Sequence, residues 1–496
     1  MKNVLKKFIA IAVMAAISVS CFAGCSKKQT SDGSELLFYV VGQEGEQLTR
    51  RIDKINSILK EKLGVTVNFQ MLTNQNYDLV LQSGEEYDLV FAPDYLNFWG
   101  NAEKGAFAEI TDEDIKNNMP YFWENAGDVM NVTKLNGKRY GIAQIHKYAA
   151  DRCVIARGDL MKKYGIEDLN SNENIEKYLT AVAENEKNII SFDINGGVGY
   201  LLLQMFASDW GWGSISSLSY GEPVYYRVDD PEHKVFIAAE QPEMLEFTKT
   251  MKRWNEKGFF SNSVLSNKSD TIASFIAKKT AMSFINNPAE IQKFYTNLTD
   301  AQKAELQPRF FTRCHEKQAM YNYTSANVAV SAFSKNKETA LKVLNEIYAN
   351  EDLARIFMYG VEGEDYIIDE NGAYVDKRGD VAVEGYMTSG IYNDNYEFEV
   401  KYDFPGCEEL LKKLEETTYY NPAVNCPSVS EGVREIKVSL SEIYGEYTSP
   451  RYYGIINGAP EEALKEELAA LKKAGIDDYV AAVQKNLDAY LNGLKN

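Results

Sequence analysis

Residues 36–41 (LLFYVV), 46–63 (EQLTRRIDKINSILKEKL), 65–72 (VTVNFQML) and 88–92 (DLVFA) decide the fold. The first is a short apolar run with the composition of a buried strand. The second spaces Leu48, Ile52, Ile55, Ile58, Leu59 and Leu63 close to a helical period and stops at Gly64. The third alternates as a strand does. The fourth is another short buried strand, entered from a polar turn and left through Pro93-Asp94. Strand, helix, strand and a further strand make the βαβ rhythm of a parallel sheet, so an α/β fold is expected.

Downstream, residues 243–257 place Leu245, Thr248, Met251, Lys252 and Trp254 near one helical face and end at Gly258. Residues 335–348 repeat the period with Ala340, Leu341, Leu344 and Ile347. Strands thin out after Val330. The end of the chain is helical: Pro460 opens one helix with Leu464, Leu468 and Leu471, closed near Gly475, and residues 477–494 carry Val480, Val483, Leu487, Tyr490, Leu491 and Leu494.

Upstream, residues 1–24 have the form of a secretory signal. Lys2, Lys6 and Lys7 precede a 16-residue, mostly apolar stretch, shorter than the roughly 20 residues of a stable membrane span. Phe22-Ala23-Gly24-Cys25 then matches the site cut by a lipoprotein signal peptidase, with Cys25 left to carry the lipid. An ordinary cleaved signal is the alternative. Residues 26–34 (SKKQTSDGS) are a polar tether, so residues 25–35 join lipid to fold. The expected location is the outer face of the cell membrane, anchored and not embedded.

The 496 residues suggest about three domains. An apolar fraction of 45% and a charged fraction of 25% are ordinary for a globular chain. Lys and Arg number 53 against 72 Asp and Glu, a net charge of −19 that becomes −22 when the signal and its three lysines are removed. Such acidity argues against nucleic-acid binding, which is driven by counterion release to Lys and Arg. Three histidines leave little for a His-rich zinc site, and no H-E-x-x-H, G-x-S-x-G or P-loop occurs. The run Gly196-Gly197-Val198-Gly199 lacks the following Lys-Ser/Thr and reads as a tight turn. The paired acids Asp229-Asp230 and Glu85-Glu86 read as solvated faces rather than a glycosidase pair. Cys153, Cys314, Cys407 and Cys426 show no C-x-x-C spacing and read as free, mostly buried thiols, although export would permit a Cys407–Cys426 bridge. No metal site or cofactor is indicated.

Five stretches then resemble, in order, the extracellular solute-binding proteins of ABC importers of the maltose-binding type. These are YDLVFAPD (87–94) with GAFAEIT (105–111), LNGKRYGIA (135–143), RGDLMKKYGI (157–166) and KKTAMSF (278–284). Ala143 stands where that family usually has proline. GVEGEDY (360–366) and the tail from Ala459-Pro460 through AGID (474–477) to QKNLDAY (484–490) are similar to LipO-like lipoproteins, with Asn486 and Tyr490 mild departures. The resemblance implies a type II periplasmic-binding-protein fold: two lobes, each a mixed sheet flanked by helices, a ligand cleft between them and a helical C-terminus. The boundaries expected are 36–147 plus 287–333 for the first lobe and 148–286 plus 334–496 for the second. It further implies a monomer that captures a solute, most often an oligosaccharide, and hands it to ABC permease subunits without chemical change. A peptide ligand, an exported glycosidase and a surface sensor or interaction lipoprotein are the alternatives.

Sugar recognition uses flat aromatic faces and groups that pair with hydroxyls. Asp94 lies past a strand end in the segment that contacts ligand in the maltose-binding type; a loop cap is the other reading. Trp99 is a stacking platform or packs under its own helix. Trp210 and Trp212, separated by glycine, suit a platform, or one plugs the second lobe. Asn286 and Asn287 are hydroxyl partners or turn residues before Pro288. Tyr323 and Glu362 complete the set, as a strand-edge aromatic and a turn acid in the alternative. His146, near the first crossover, reads as a satisfied polar residue.

Overall fold

The strand Glu35–Gln43 buries Leu36, Phe38 and Val40, and the helix Glu46–Leu63 lays Leu48, Ile55 and Leu59 into the same interior. Gly64 ends that helix in the left-handed conformation at φ 71°. The chain returns as Thr66–Leu72, parallel to Glu35–Gln43 with Phe38 opposite Phe69, and Leu89–Phe91 joins the other edge with Phe38 opposite Leu89. Asn327–Val330 pairs antiparallel with Leu89–Phe91, Ile142–Ala143 follows it, and Tyr386–Thr388 lies antiparallel on Glu35–Gln43. The expected βαβ start thus becomes a mixed sheet. The computed structural model describes residues 34–494 except 74, 85, 147–152, 216–222, 320–322, 370–373, 378–385, 389, 399–400, 420 and 428–431. The signal segment, Cys25, nearly all of the tether and Glu85 lie outside the described residues.

A second sheet has the order Arg309–Thr312, Cys153–Ala156, Thr280–Ile285, Ile190–Asp193. Cys153–Ala156 is antiparallel to both neighbours, and Thr280–Ile285 is parallel to Ile190–Asp193. Helices cover both faces. Tyr178, Leu202, Met244, Phe247 and Trp254 pack on one with Val154 and Phe192, while Ile291, Phe294, Leu306 and Leu410 pack on the other with Cys153 and Ile155.

Two lobes follow, but not with the expected boundaries. Helices Pro288–Asn297 and Asp300–Leu306 and strand Arg309–Thr312 belong to the second lobe, because Arg309–Thr312 completes the free edge of Cys153–Ala156. Helices Lys337–Ala349 and Glu351–Tyr359 belong to the first, where Leu341, Leu344, Tyr348, Leu353 and Phe357 share a core with Phe38, Val67 and Leu89. The chain crosses three times: between Ile145 and Cys153, between Thr312 and Tyr323, and between Tyr396 and Phe404.

The C-terminal helices Pro460–Lys473 and Ile476–Leu494 are part of the second lobe. Leu464, Leu471, Ile476, Val483 and Leu487 enter its core. A buried ion pair fastens them: Arg451 Nε and Nη2 donate to Glu467 at 2.6 and 3.1 Å, and Thr448 Oγ1 donates to Glu467 Oε1 at 2.6 Å. A second tie joins the helices Asn172–Asn185 and Pro242–Glu256, where Arg253 grips both oxygens of Glu176 at 2.7 Å and Lys257 adds a bond at 3.1 Å. The hydrogen bonds from Arg253 lower the Glu176 carboxyl from 4.5 to about 2. A depressed carboxylate contributes stability that is complete above its unfolded pKa and lost as pH falls toward the folded one. Denaturation midpoints measured from about pH 5 down to about pH 2 should therefore fall, and Glu176→Gln should remove part of that slope.

Candidate functional site

Strand register fixes where the lobes meet. Phe91, Ala143 and Asn327 stand at one end of the first sheet. Cys153, Asp193, Ile285 and Thr312 stand at one end of the second. The first two crossings leave from these same ends, so the strand ends face each other across a seam. Ligands of open α/β sheets bind outside strand carboxyl ends, and Leu89–Phe91, Ile190–Asp193 and Thr280–Ile285 all deliver theirs here.

On the first lobe, Leu89–Phe91 runs into Ala92-Pro93 and the short turn Asp94–Leu96. Tyr77 donates its hydroxyl to Phe91 O at 2.8 Å, and Asn327 Nδ2 donates to Ala92 O at 2.7 Å and to Thr324 O at 3.1 Å. Thr324 Oγ1 in turn donates to Asp94 Oδ2 at 3.1 Å, with Asp94 only 1% exposed. Gly390 (φ 73°) packs against this strand end so closely that a Cβ there would lie 2.7 Å from the Phe91 ring. Tyr95, 48% exposed and edge-on to Phe91 at 6.4 Å, is the open aromatic of the loop.

On the second lobe, Asp193 is held by Asn267 Nδ2 at 2.9 Å, and Tyr453 donates to Asn195 O at 2.8 Å. The glycine run beyond it is a close-packed turn, as expected: a Cβ on Gly196 would meet Leu265 O at 2.2 Å. The seam is closed by the second crossing, where Tyr323 N donates to Asn425 Oδ1 at 2.9 Å. Asn195 and Arg313 follow the strand ends at Asp193 and Thr312, and Asn425 meets Tyr323 at the second crossing. Among the described residues, Asn195 Oδ1, Arg313 Nε and Nη1 and Asn425 Nδ2 are buried with no hydrogen-bond partner. Such groups are costly unless water or a ligand satisfies them, which makes each a candidate partner for a hydroxyl.

The expected site residues divide. Asp94 stands in the seam. Trp99 is 3% exposed and lies in a first-lobe core against Phe98, which is its packing alternative. Tyr323 is 2% exposed in the first-lobe core and touches the seam through its backbone. Trp212 is buried among Tyr225 and Phe236 with Arg227 over its ring at 5.7 Å, so it is the plug. Trp210 is half-buried, 5.0 Å from Trp212, in a depression lined by Asn170, Asp209, Asp229 and His315 among others. Asn286 donates to both oxygens of Glu290 at 2.8 Å, and Asn287 accepts from Glu290 N at 2.9 Å as the cap of helix Pro288–Asn297. Glu362 is exposed in a turn whose neighbours Glu364 and Asp365 pair with Arg50 and Arg51. Asn287→Ala is expected to cost about 1 kcal/mol of stability, read as a denaturation midpoint, with ligand affinity unchanged.

Tyr95, Asn195, Arg313 and Asn425 escaped the sequence reading. Only Tyr95, beside Asp94, carried a local signal. Asn425 finds its partner 102 residues away. Among the described residues, Cys153, Cys314, Cys407 and Cys426 form no disulfide, and burial lifts the Cys426 thiol to about 12. Among the described residues, no group of three or more His, Cys, Asp or Glu is placed to hold a metal ion, and no helix is long and apolar enough to cross a membrane.

Comparison with known proteins agrees with this architecture. Residues 43–354 match the model of the bacterial extracellular solute-binding protein family, and residues 430–492 match a domain of unknown function, DUF3502. A carbohydrate ABC transporter substrate-binding protein of Streptococcus pneumoniae serotype 4 is 25% identical over 522 residues, covering 100% of each chain. The crystal structure of the N-glycan transport solute binding protein NgtS of Streptococcus pneumoniae superposes with a TM-score of 0.72 at 21% identity, covering 92% of this chain and 99% of that one. Alginate-binding protein AlgQ2 superposes at 0.67 with 14% identity, covering 92% and 98%. The chain belongs to the bacterial extracellular solute-binding protein family.

Proposed function

We propose that this protein captures an extracellular oligosaccharide in the seam between its lobes, closes on it and presents it unmodified to the permease of an ABC importer. The observation that carries this reading is the meeting of strand ends from both lobes at the crossings, followed in the chain by buried amide and guanidinium groups at Asn195 and Arg313 that lack a partner among the described residues. Asn195, Arg313 and Asn425 offer donors and acceptors to hydroxyls, Asp94 adds a carboxylate, and Tyr95 offers an exposed ring face. A ligand touching both lobes stabilises the closed state by the contacts made only there. The names of its relatives point the same way: a carbohydrate ABC transporter substrate-binding protein, and NgtS, solved with Man1GlcNAc and Man5GlcNAc.

The test is a thermal-shift panel of neutral glycans, peptides and polyols on the mature chain. A ligand that binds only the folded state raises the melting temperature, by an amount that grows with concentration. A shift with glycans and none with peptides is the expected result. Release of sugar from the same glycans would point to a glycosidase, and no shift with any small molecule to an interaction protein. The protein acts as a monomer on the outer face of the cell membrane, held by lipid on Cys25. Cys25→Ser is expected to move it from the membrane fraction into the medium.

A further inference from the structure

Beside the seam, the second lobe has an open depression at the end of helix Tyr200–Asp209, lined by Ser208, Asp209, Trp210, Asp229, His315 and Lys317 among others. It is a shallow depression, widely open to solvent. Among the described residues its lining comes from the second lobe and from His315, Glu316 and Lys317 of the second crossing, with none from the first lobe. Three features give it the chemistry of a binding site. Trp210 presents a half-buried indole to it. His315 is 6% exposed, and among the described residues neither ring nitrogen has a hydrogen-bond partner. Asp209 Oδ1 stands 3.4 Å from His315 Nδ1, while Asn172 Nδ2 holds Oδ2 at 2.9 Å and leaves its own amide oxygen buried and unpartnered.

With the Asp209 carboxylate facing Nδ1, it is the buried Nε2 that is left unmet among the described residues, a cost unless something else pairs with it. The carboxylates of Asp209, Asp229 and Glu316 outnumber the single ammonium of Lys317, so an anion is disfavoured. Among the described residues, the cluster is not a group of three or more His, Cys, Asp or Glu placed to hold a metal ion. What remains is a neutral polyhydroxyl compound with an apolar face. We propose that this depression is a second glycan subsite. One neutral sugar ring stacks on Trp210, with hydroxyls paired to His315 and Asp209. The proposal rests on the reading of the protein as a glycan receptor, and it assigns this patch to a branch or a second chain outside the cleft.

The full mature chain labelled with 5-fluorotryptophan provides the test, since five tryptophans give five fluorine signals and Trp210→Phe assigns the one that matters. Man5GlcNAc is the probe, and lobe closure is followed in parallel by X-ray scattering. The Trp210 signal should move with added glycan, and should still move in Asp94→Ala, where closure is impaired. His315→Ala should weaken the Trp210 response about fivefold to tenfold while closure is kept, and His315→Gln should restore part of it. A Trp210 signal that stays fixed while the lobes close, that responds equally in His315→Ala, or that is lost in Asp94→Ala, overturns the subsite alone. Movement of Trp210 without closure supports the subsite and counts against the cleft. Neither closure nor movement counts against both.

Discussion

Glu467→Ala is expected to cost about 3–5 kcal/mol and to lower the melting temperature of the second lobe on the order of 10 °C. Glu467 and Arg451 are 2% and 3% exposed. Burial alone works against the Arg451 charge, and the field and hydrogen bonds of Glu467 outweigh it and hold the guanidinium protonated. Removing the carboxylate leaves that cation in the protein interior without a counterion, and it also strips Thr448 of its acceptor. The net worth of the pair is a different quantity, because both charges were desolvated to form it. Arg451→Met with Glu467→Leu should therefore recover much of the loss, whereas Glu467→Gln should stand in between. Differential scanning calorimetry reads all three. A drop of less than about 2 °C for Glu467→Ala would mean that the C-terminal helices are appended to the lobe and not built into it.

Asp94→Ala carries the largest expected effect on function. Its carboxylate lies past the end of a parallel strand, in a turn fixed by Thr324, Asn327 and Tyr77. Hydrogen bonds from sugar hydroxyls to a carboxylate are charge-assisted and worth about 1.5–3 kcal/mol each. Loss of one of them predicts a fall in glycan affinity of roughly 10- to 150-fold by titration calorimetry. The unliganded fold should lose the Thr324 bond, worth about 1 kcal/mol. Equal affinity in wild type and variant would reduce Asp94 to a loop cap.

The two ends of the chain were the most legible parts. The βαβ start follows from spacing within forty residues, and the helices opening at Pro460 and Ile476 follow from apolar periods with Pro and Gly at their limits. The lobe boundaries were not legible, because they depend on which free strand edge the chain completes. Arg309–Thr312 could have joined either sheet by composition, and only the unpaired edge of Cys153–Ala156 places it. The tryptophans show a related limit. A platform and a plug use the same residue, and Trp212 is a plug because Tyr225 and Phe236, on the strands Val224–Arg227 and Phe236–Ile237 of the same small sheet, enclose it. At Asn286-Asn287-Pro288 the amides that suggested hydroxyl partners sit at a helix start, where Asn287 is the cap. The seam amides were invisible for the opposite reason, since isolated Asn and Arg residues carry no local period.

Small-angle X-ray scattering with and without the glycan that raises the melting temperature most tests the central claim directly. Gripping by hinged lobes predicts a smaller radius of gyration that saturates together with the high-affinity binding event and reverses on dialysis, with the glycan recovered intact. An unchanged scattering profile at saturating bound glycan, or a glycan recovered cleaved, would contradict it.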